Sequence, residues 1–282
     1  MPSATSFDLD QWAVSYLRHA PLSLCLRELN RLLALTHFVP GLKDGKASLR
    51  ILDIGCGDAF WWDLFGKVLP DVEGYGIDIS PSEIRQAKKR IRAELLDISK
   101  AAPFPGVSFD VFLGNCSFEH IPKIHDAMKN LSEAAKPGAK MVLFVPAPNW
   151  AYQGLIQSTL LRAAPRLAMT VSGALNGFFQ HWHLYEAEVW SSLLARHGWQ
   201  VTETHGMGNR RSELLFRLFL PPSFVGFLFK KIFGVYPNRL LRYIPRTALQ
   251  PLVRLLRWGL EEPLCSVKNP KAYEYILLAT RS

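Results

Sequence analysis

Ile51-Leu52-Asp53-Ile54-Gly55-Cys56-Gly57-Asp58-Ala59 joins a short apolar run over 49–54 to residues 60–69, which read as a helix. Gly55 and Gly57 allow a tight backbone turn and let a ligand approach with no Cβ in the way. The following helix start offers N–H groups to a carboxylate or phosphate. Asp53 puts an acceptor at the carboxyl end of the strand, where open α/β sheets bind ligands. A carboxylate there repels a pyrophosphate and favours an aminoacyl ligand carrying ammonium and sulfonium charges.

The next strand-like run, 73–79, ends on Asp78-Ile79, about twenty residues on, where a carboxylate can accept from both hydroxyls of a ribose. Pro81 suits the first turn of a helix over 81–91. A third strand over 93–96 leads to Asp97-Ile98, placed to meet an adenine amino group. Strands over 109–113, 140–145, 199–205 and 274–280 and helices over 123–135 and 186–197 continue the alternation. That order implies βαβ units and a parallel sheet buried on both faces. A glycine turn alone is as well explained by a bare strand–helix connection. Acids ending three successive strands instead make one adenosyl pocket.

LDIGCGDA, YGIDIS, LLDIS, FDVFLGNCSFEHI and KPGAKMVLFVP, spread over about residues 48–148, together resemble the motif series of class I S-adenosylmethionine-dependent methyltransferases. The resemblance implies an α/β, Rossmann-like three-layer sandwich. Its seven-stranded sheet would be mainly parallel with an antiparallel last strand. It would carry an N-terminal helical cap (1–47), a cofactor-binding core (48–148) and an α-helical insertion (208–270) before that strand, all in a single domain over 1–282. It further implies S-adenosylmethionine as cofactor, with Gly55, Cys56 and Gly57 beside the methionine part, Asp78-Ile79 at the ribose and Asp97-Ile98 at the adenine. Ala59 stands where the family often has a third glycine.

Asn115, Ser117, Glu119 and His120 follow the fourth strand at the mouth of that site. Asn115 is a candidate for the cofactor's amino acid, and His120 for a general base, since imidazole titrates near neutrality. Glu119 and His120 could equally just hold the start of the next helix. His181 and His183, in HWHLY, are alternative bases if they share one face. As an HxH pair they lack two further ligands at metal spacing, so no metal site is expected. Tyr16 and Arg18 are weaker candidates for closing over the cofactor's carboxylate; a packed tyrosine and a surface arginine explain them as well.

Hydrophobic residues make up 49% of the 282 and charged residues 20%, which argues against disorder. The four cysteines are scattered, with no disulfide or metal spacing, and the polar, acidic N-terminus is unlike a secretory signal; both favour a cytoplasmic location. No uninterrupted apolar run reaches about 18 residues, so no spanning helix is expected.

Most of the net charge of +9 falls in one stretch. Arg210, Arg211, Arg217, Lys230, Lys231, Arg239, Arg242, Arg246, Arg254 and Arg257 face only Glu213, Glu261 and Glu262 there. Nine aromatic rings are interleaved with them, and Pro221-Pro222, Pro237, Pro245 and Pro251 divide the stretch into short amphipathic pieces. Such pieces suit peripheral contact with an anionic membrane. A lid over a hydrophobic substrate and a homodimer interface are the competing readings. Nucleic acid is disfavoured, because the apolar density is too high for a phosphate-tracking surface. The expected activity is methyl transfer to an oxygen or nitrogen of a small hydrophobic or lipid-like acceptor. The alternatives are a non-catalytic S-adenosylmethionine-binding partner subunit and, disfavoured by Asp53 and the KPGA turn, a nicotinamide-dependent oxidoreductase.

Overall fold

A computed structural model describes residues 8–43, 45–152 and 155–282. Residues 1–7, on which the reading of the N-terminus rests, lie outside the described residues. The strands are β1 (Leu49–Ile54), β2 (Val72–Asp78), β3 (Arg92–Leu95), β4 (Phe109–Asn115), β5 (Ala135–Pro146), β6 (Trp199–Met207), β7 (Leu264–Cys265) and β8 (Glu274–Arg281). The chain divides into two compact units, Phe38–Met207 with Ser266–Ser282, and Met1–His37 with Gly208–Cys265. The expected cap and insertion thus fall largely in one unit.

In the first unit the strand order is β3-β2-β1-β4-β5-β8-β6. β1 pairs in parallel with both β2 and β4, while β8 runs antiparallel between β5 and β6. The expected seven strands and antiparallel last strand are all here; the two-residue β7, in the other unit, makes eight. From β1 the chain winds outward through β2 to β3 and then returns to β4 on β1's other side. That reversal opens a crevice at the carboxyl ends of β1 and β4, where doubly wound sheets take ligands.

Uninterrupted burial along β4 reflects a strand covered on both faces. Phe109, Phe112 and Trp199 meet edge to face across the sheet, with centroids 5.8 and 5.4 Å apart. Each such ring contributes about 1.5–3 kcal/mol by leaving water. The helix Pro81–Ala87 starts as its sequence dictates, with Ser80 capping the Glu83 N–H and Pro81 in the first turn. Residues 149–180, which no strand–helix alternation explained, form the helices Leu155–Ala163 and Pro165–Phe179.

The second unit is helical. Leu9–Leu17 and Leu22–Thr36 lie on either side of Pro21. Of the prolines of 208–270, Pro237 and Pro245 open new elements as expected, whereas Pro221, Pro222 and Pro251 lie inside helices. Arg210–Phe233 is one 24-residue helix running through Pro221 and Pro222, and Arg246–Gly259 runs through Pro251. The first of these is capped by Asn209 and Ser212 and stopped by Gly234 in the left-handed region. Its buried face packs on Leu22–Thr36: the Ser23 N–H donates to Ser223 Oγ at 3.1 Å, and Gly226 sits against Pro21. This tertiary packing outweighs the two missing backbone donors. By length and composition the helix is apolar enough to cross a bilayer, with a mean hydropathy of 1.3 over an 18-residue window.

Arg239 and Arg242 lie on a 3-10 segment, Pro237–Tyr243, separate from the helix carrying Arg246, so the three do not share one helical face. On Arg246–Gly259 the buried stripe is Leu249, Val253 and Leu256, leaving Leu255 exposed. Tyr16 is buried, and Arg18 donates to the Ile244 carbonyl at 3.0 Å, so both serve packing within this unit.

Candidate functional site

A cavity of about 520 Å³ opens beyond the carboxyl ends of β1, β2 and β4. Its wall includes Gly55, Asp78, Ile79, Asp97, Ile98, Ser117 and His120, together with Ile121, Pro122, Phe178, Phe179 and Gln180. Gly55 has φ +72°, and a Cβ there would lie 2.6 Å from the Cβ of Ser117. Only glycine fits that position. Ser117 Oγ is buried and has no hydrogen-bond partner among the described residues. Ala59 takes φ +56°, the conformation a glycine would hold, at a cost of about 1–2 kcal/mol.

The loop holds itself by spending its own N–H groups. Gly55 and Cys56 donate to the Ile77 carbonyl at 2.8 and 3.0 Å, and Gly57 donates to Asp78 Oδ2 at 2.9 Å. The helix starts at Trp62, and the N–H groups of Ala59, Phe60, Trp62 and Asp63 already have acceptors inside the turn. The expected free anion-binding helix start is therefore absent here.

Asp53 is 0% exposed and does not line the cavity. Its Oδ2 accepts from the indoles of Trp61 at 3.0 Å and Trp62 at 2.7 Å. The expectation of a ligand-facing carboxylate is corrected: this acid staples the loop to the following helix. Cys56 and Gly57 belong to the loop, but neither lines the cavity, nor does Asn115. The Cys56 thiol is held neutral by burial, reinforced by the charges of Asp53 and Asp78.

Asp78 and Asp97 do face the cavity. Asp78 Oδ1 accepts from the Ser80 N–H at 2.8 Å, so each oxygen holds one backbone donor and keeps a lone pair for a ribose hydroxyl. The hydrogen bond from Ser99 does most to hold the Asp97 carboxyl below the usual range; burial opposes it and Lys100 assists. Ile79 is 75% exposed at the cavity wall, an apolar side chain suited to the face of a flat ring.

The three candidate histidines separate. His183 is buried, with Nε2 2.8 Å from the Ile121 carbonyl and Nδ1 2.9 Å from the Tyr185 hydroxyl. A carbonyl only accepts, so Nε2 carries the proton and both nitrogens are engaged. His183 holds structure, which corrects its expected role as a base. His120 lines the cavity, its Nδ1 3.2 Å from the Gln180 carbonyl. His181 stacks on His120 with centroids 5.2 Å apart, so His181 pairs with His120 and not with His183 on a shared face. Phe178, Phe179 and Gln180 escaped the sequence reading because their helix had no place in the strand–helix alternation.

A family model described as a methyltransferase domain matches residues 16–204. The chain belongs to the class I S-adenosylmethionine-dependent methyltransferase family. Trans-aconitate 2-methyltransferase of Rhodopseudomonas palustris is 30% identical over 98 residues, 34% of this chain and 38% of that one. Demethylmenaquinone methyltransferase of Thermus thermophilus is 26% identical over 141 residues, 47% of this chain and 64% of that one. The matched part is thus under two thirds of these relatives' lengths. Among solved structures, the plantazolicin methyltransferase BpumL in complex with S-adenosylhomocysteine superposes with a TM-score of 0.52 at 15% identity. That likeness covers 91% of this chain and 85% of that one, and it concerns the fold. The family's cofactor is S-adenosylmethionine, and the residues present fit it: a backbone cradle that a Cβ would fill, an orphaned Ser117 hydroxyl, and two acids with lone pairs left to give.

Proposed function

We propose that this protein transfers a methyl group from S-adenosylmethionine to an oxygen or nitrogen of a small hydrophobic or lipid-like acceptor. The observation carrying this reading is that one cavity is lined both by Gly55, Asp78 and Asp97 and by the apolar Ile121, Pro122, Phe178 and Phe179. When bound, the cofactor would supply a methyl on a sulfonium, whose S–C bond breaks as the acceptor–carbon bond forms, the electron pair staying on sulfur in S-adenosylhomocysteine. Asp78 and Asp97 orient the adenosyl part, and the aromatic wall excludes water and seats the acceptor. Rate enhancement then comes mainly from proximity and alignment. His120, at the cavity wall, is the imidazole positioned to receive the acceptor's proton.

We further infer a cytoplasmic protein that touches anionic membrane, the membrane contact being supported by the side chains of the helical unit. Leu218, Val225, Ile232 and Phe233 are exposed on Arg210–Phe233, and Leu240 and Tyr243 on the segment carrying Arg239 and Arg242. Apolar side chains that bury at the interface beside cations that meet headgroups favour a lipid surface over a dimer contact. Incubation with methyl-tritiated cofactor and a cell lipid extract tests the activity. The reading expects organic-extractable label together with S-adenosylhomocysteine. Tight cofactor binding with no product from any acceptor would favour the non-catalytic subunit.

A further inference from the structure

Glu119, His120 and His181 converge beside the cavity, each offering a ligand atom within 4.8 Å of the others. The 3-10 turn Phe118–His120 supplies the first two. The loop after Pro165–Phe179 supplies the third, tied down where the Trp182 and His183 N–H groups donate to the Glu119 carbonyl at 2.8 and 3.2 Å.

The hydrogen bonds around the two rings set their chemistry. The Gln180 carbonyl can only accept, so His120 Nδ1 carries a proton toward it. Asn176 Oδ1 accepts from the Trp150 indole at 2.9 Å, which identifies that atom as oxygen. His181 Nδ1, 3.3 Å from the same oxygen, is therefore also the protonated nitrogen. In each neutral ring Nε2 is then the basic nitrogen. That of His120 lies 3.6 Å from Oε1 of Glu119, whose side chain is 1% exposed. A cation placed between these two atoms would be attracted by both. Imidazoles whose Nδ1–H groups are anchored on oxygen acceptors are also how proteins orient metal-ligating histidines.

We propose that Glu119, His120 and His181 hold a divalent transition-metal cation at the acceptor side of the cavity. Two imidazoles and one carboxylate suit zinc, manganese, iron(II) or cobalt(II), and leave coordination positions open toward the cavity that His120 lines. With a cation bound, His120 is its ligand in place of receiving the acceptor's proton; the cation holds an oxygen-bearing acceptor and lowers the pKa of its hydroxyl, so that the proton leaves to solvent before methyl transfer. This role toward the acceptor rests on the methyltransferase reading, whereas binding of the cation does not. The HxH pair alone lacked further ligands; the fold supplies them from residues 119 and 120 and leaves His183 out.

Full-length protein stripped with a chelator and titrated with cobalt(II), followed by visible absorption, tests the site. The expected result is one ion per chain with the intense bands of a low-coordinate site. His120→Ala and His181→Ala, both partly exposed and checked for folding by circular dichroism, lose those bands. Asn176→Ala, which frees the His181 ring, keeps the stoichiometry but weakens binding roughly 10–100-fold. His205→Ala matches the parent. No stoichiometric cobalt, or binding untouched by both histidine variants, overturns the proposal. Calorimetry of the stripped protein with S-adenosylhomocysteine keeps the two readings apart, since failure of the metal site leaves that binding intact.

Discussion

The N–H of Gly57 donates to Asp78 Oδ2 at 2.9 Å, so the first glycine-rich turn is held by the acid that ends the neighbouring strand. One carboxylate both shapes the loop and faces the cavity. Asp78→Ala should therefore do more than delete a ribose contact. It removes charge-assisted bonds of about 1.5–3 kcal/mol each, so affinity for S-adenosylhomocysteine should fall about a hundredfold or more by calorimetry. Asp78→Asn, which keeps one acceptor oxygen, should fall in between.

Gly55 and Ser117 share a space that holds one Cβ. Gly55→Ala should abolish measurable cofactor binding, through the clash and through about 1–2 kcal/mol of left-handed strain. Removing the opposing Cβ in the double variant Gly55→Ala/Ser117→Gly should restore part of the affinity, and a double variant no better than the single would rule out the steric account.

Asp53 serves the fold. Asp53→Ala strands two buried indole N–H groups and should cost about 2–4 kcal/mol in denaturant unfolding. The emission of Trp61 and Trp62 should shift with it. Asp53→Asn, which keeps an acceptor, should lose less stability and bind cofactor nearly as well as the parent.

Asp78 and Asp97 were legible because a strand's end fixes where its last side chain points, and the hydrophobic runs mark those ends well. Asp53 sits in the same pattern yet points elsewhere. Its partners, Trp61 and Trp62, lie at the cap and first residue of the next helix, where the geometry of the entering turn, which no periodicity encodes, aims them. The helix Pro165–Phe179 was missed because Gly173, Gly177 and its polar residues blur the apolar stripe. Pro221 and Pro222 misled for the opposite reason: a strong local stop signal was overridden by packing on Leu22–Thr36.

His125 Nδ1 and His197 Nε2 lie 2.9 Å apart, a bond that needs one donor and one acceptor. Burial first, then the neighbouring His125 and Arg281 charges, hold His197 below its ordinary 6.5. A histidine depressed in the folded state takes up its proton more readily when unfolded. Its stabilising effect is thus complete above 6.5, falls as pH drops through that value, and levels off below the depressed folded pKa. Thermal melts between about pH 8 and about pH 5 should show this loss, with a slope up to about 1.4 kcal/mol per pH unit. His125→Gln should lessen the loss without abolishing it, since burial, the larger cause, remains.

The central claim is a methyl-donor site built from Gly55, Ser117, Asp78 and Asp97, and calorimetric titration with S-adenosylhomocysteine, set against NAD, tests it most directly. The account predicts saturable binding of one S-adenosylhomocysteine per chain, weakened about a hundredfold or more in Asp78→Ala, and no heat from NAD. Binding of NAD in its place, or S-adenosylhomocysteine heat that Asp78→Ala leaves unchanged, would contradict it.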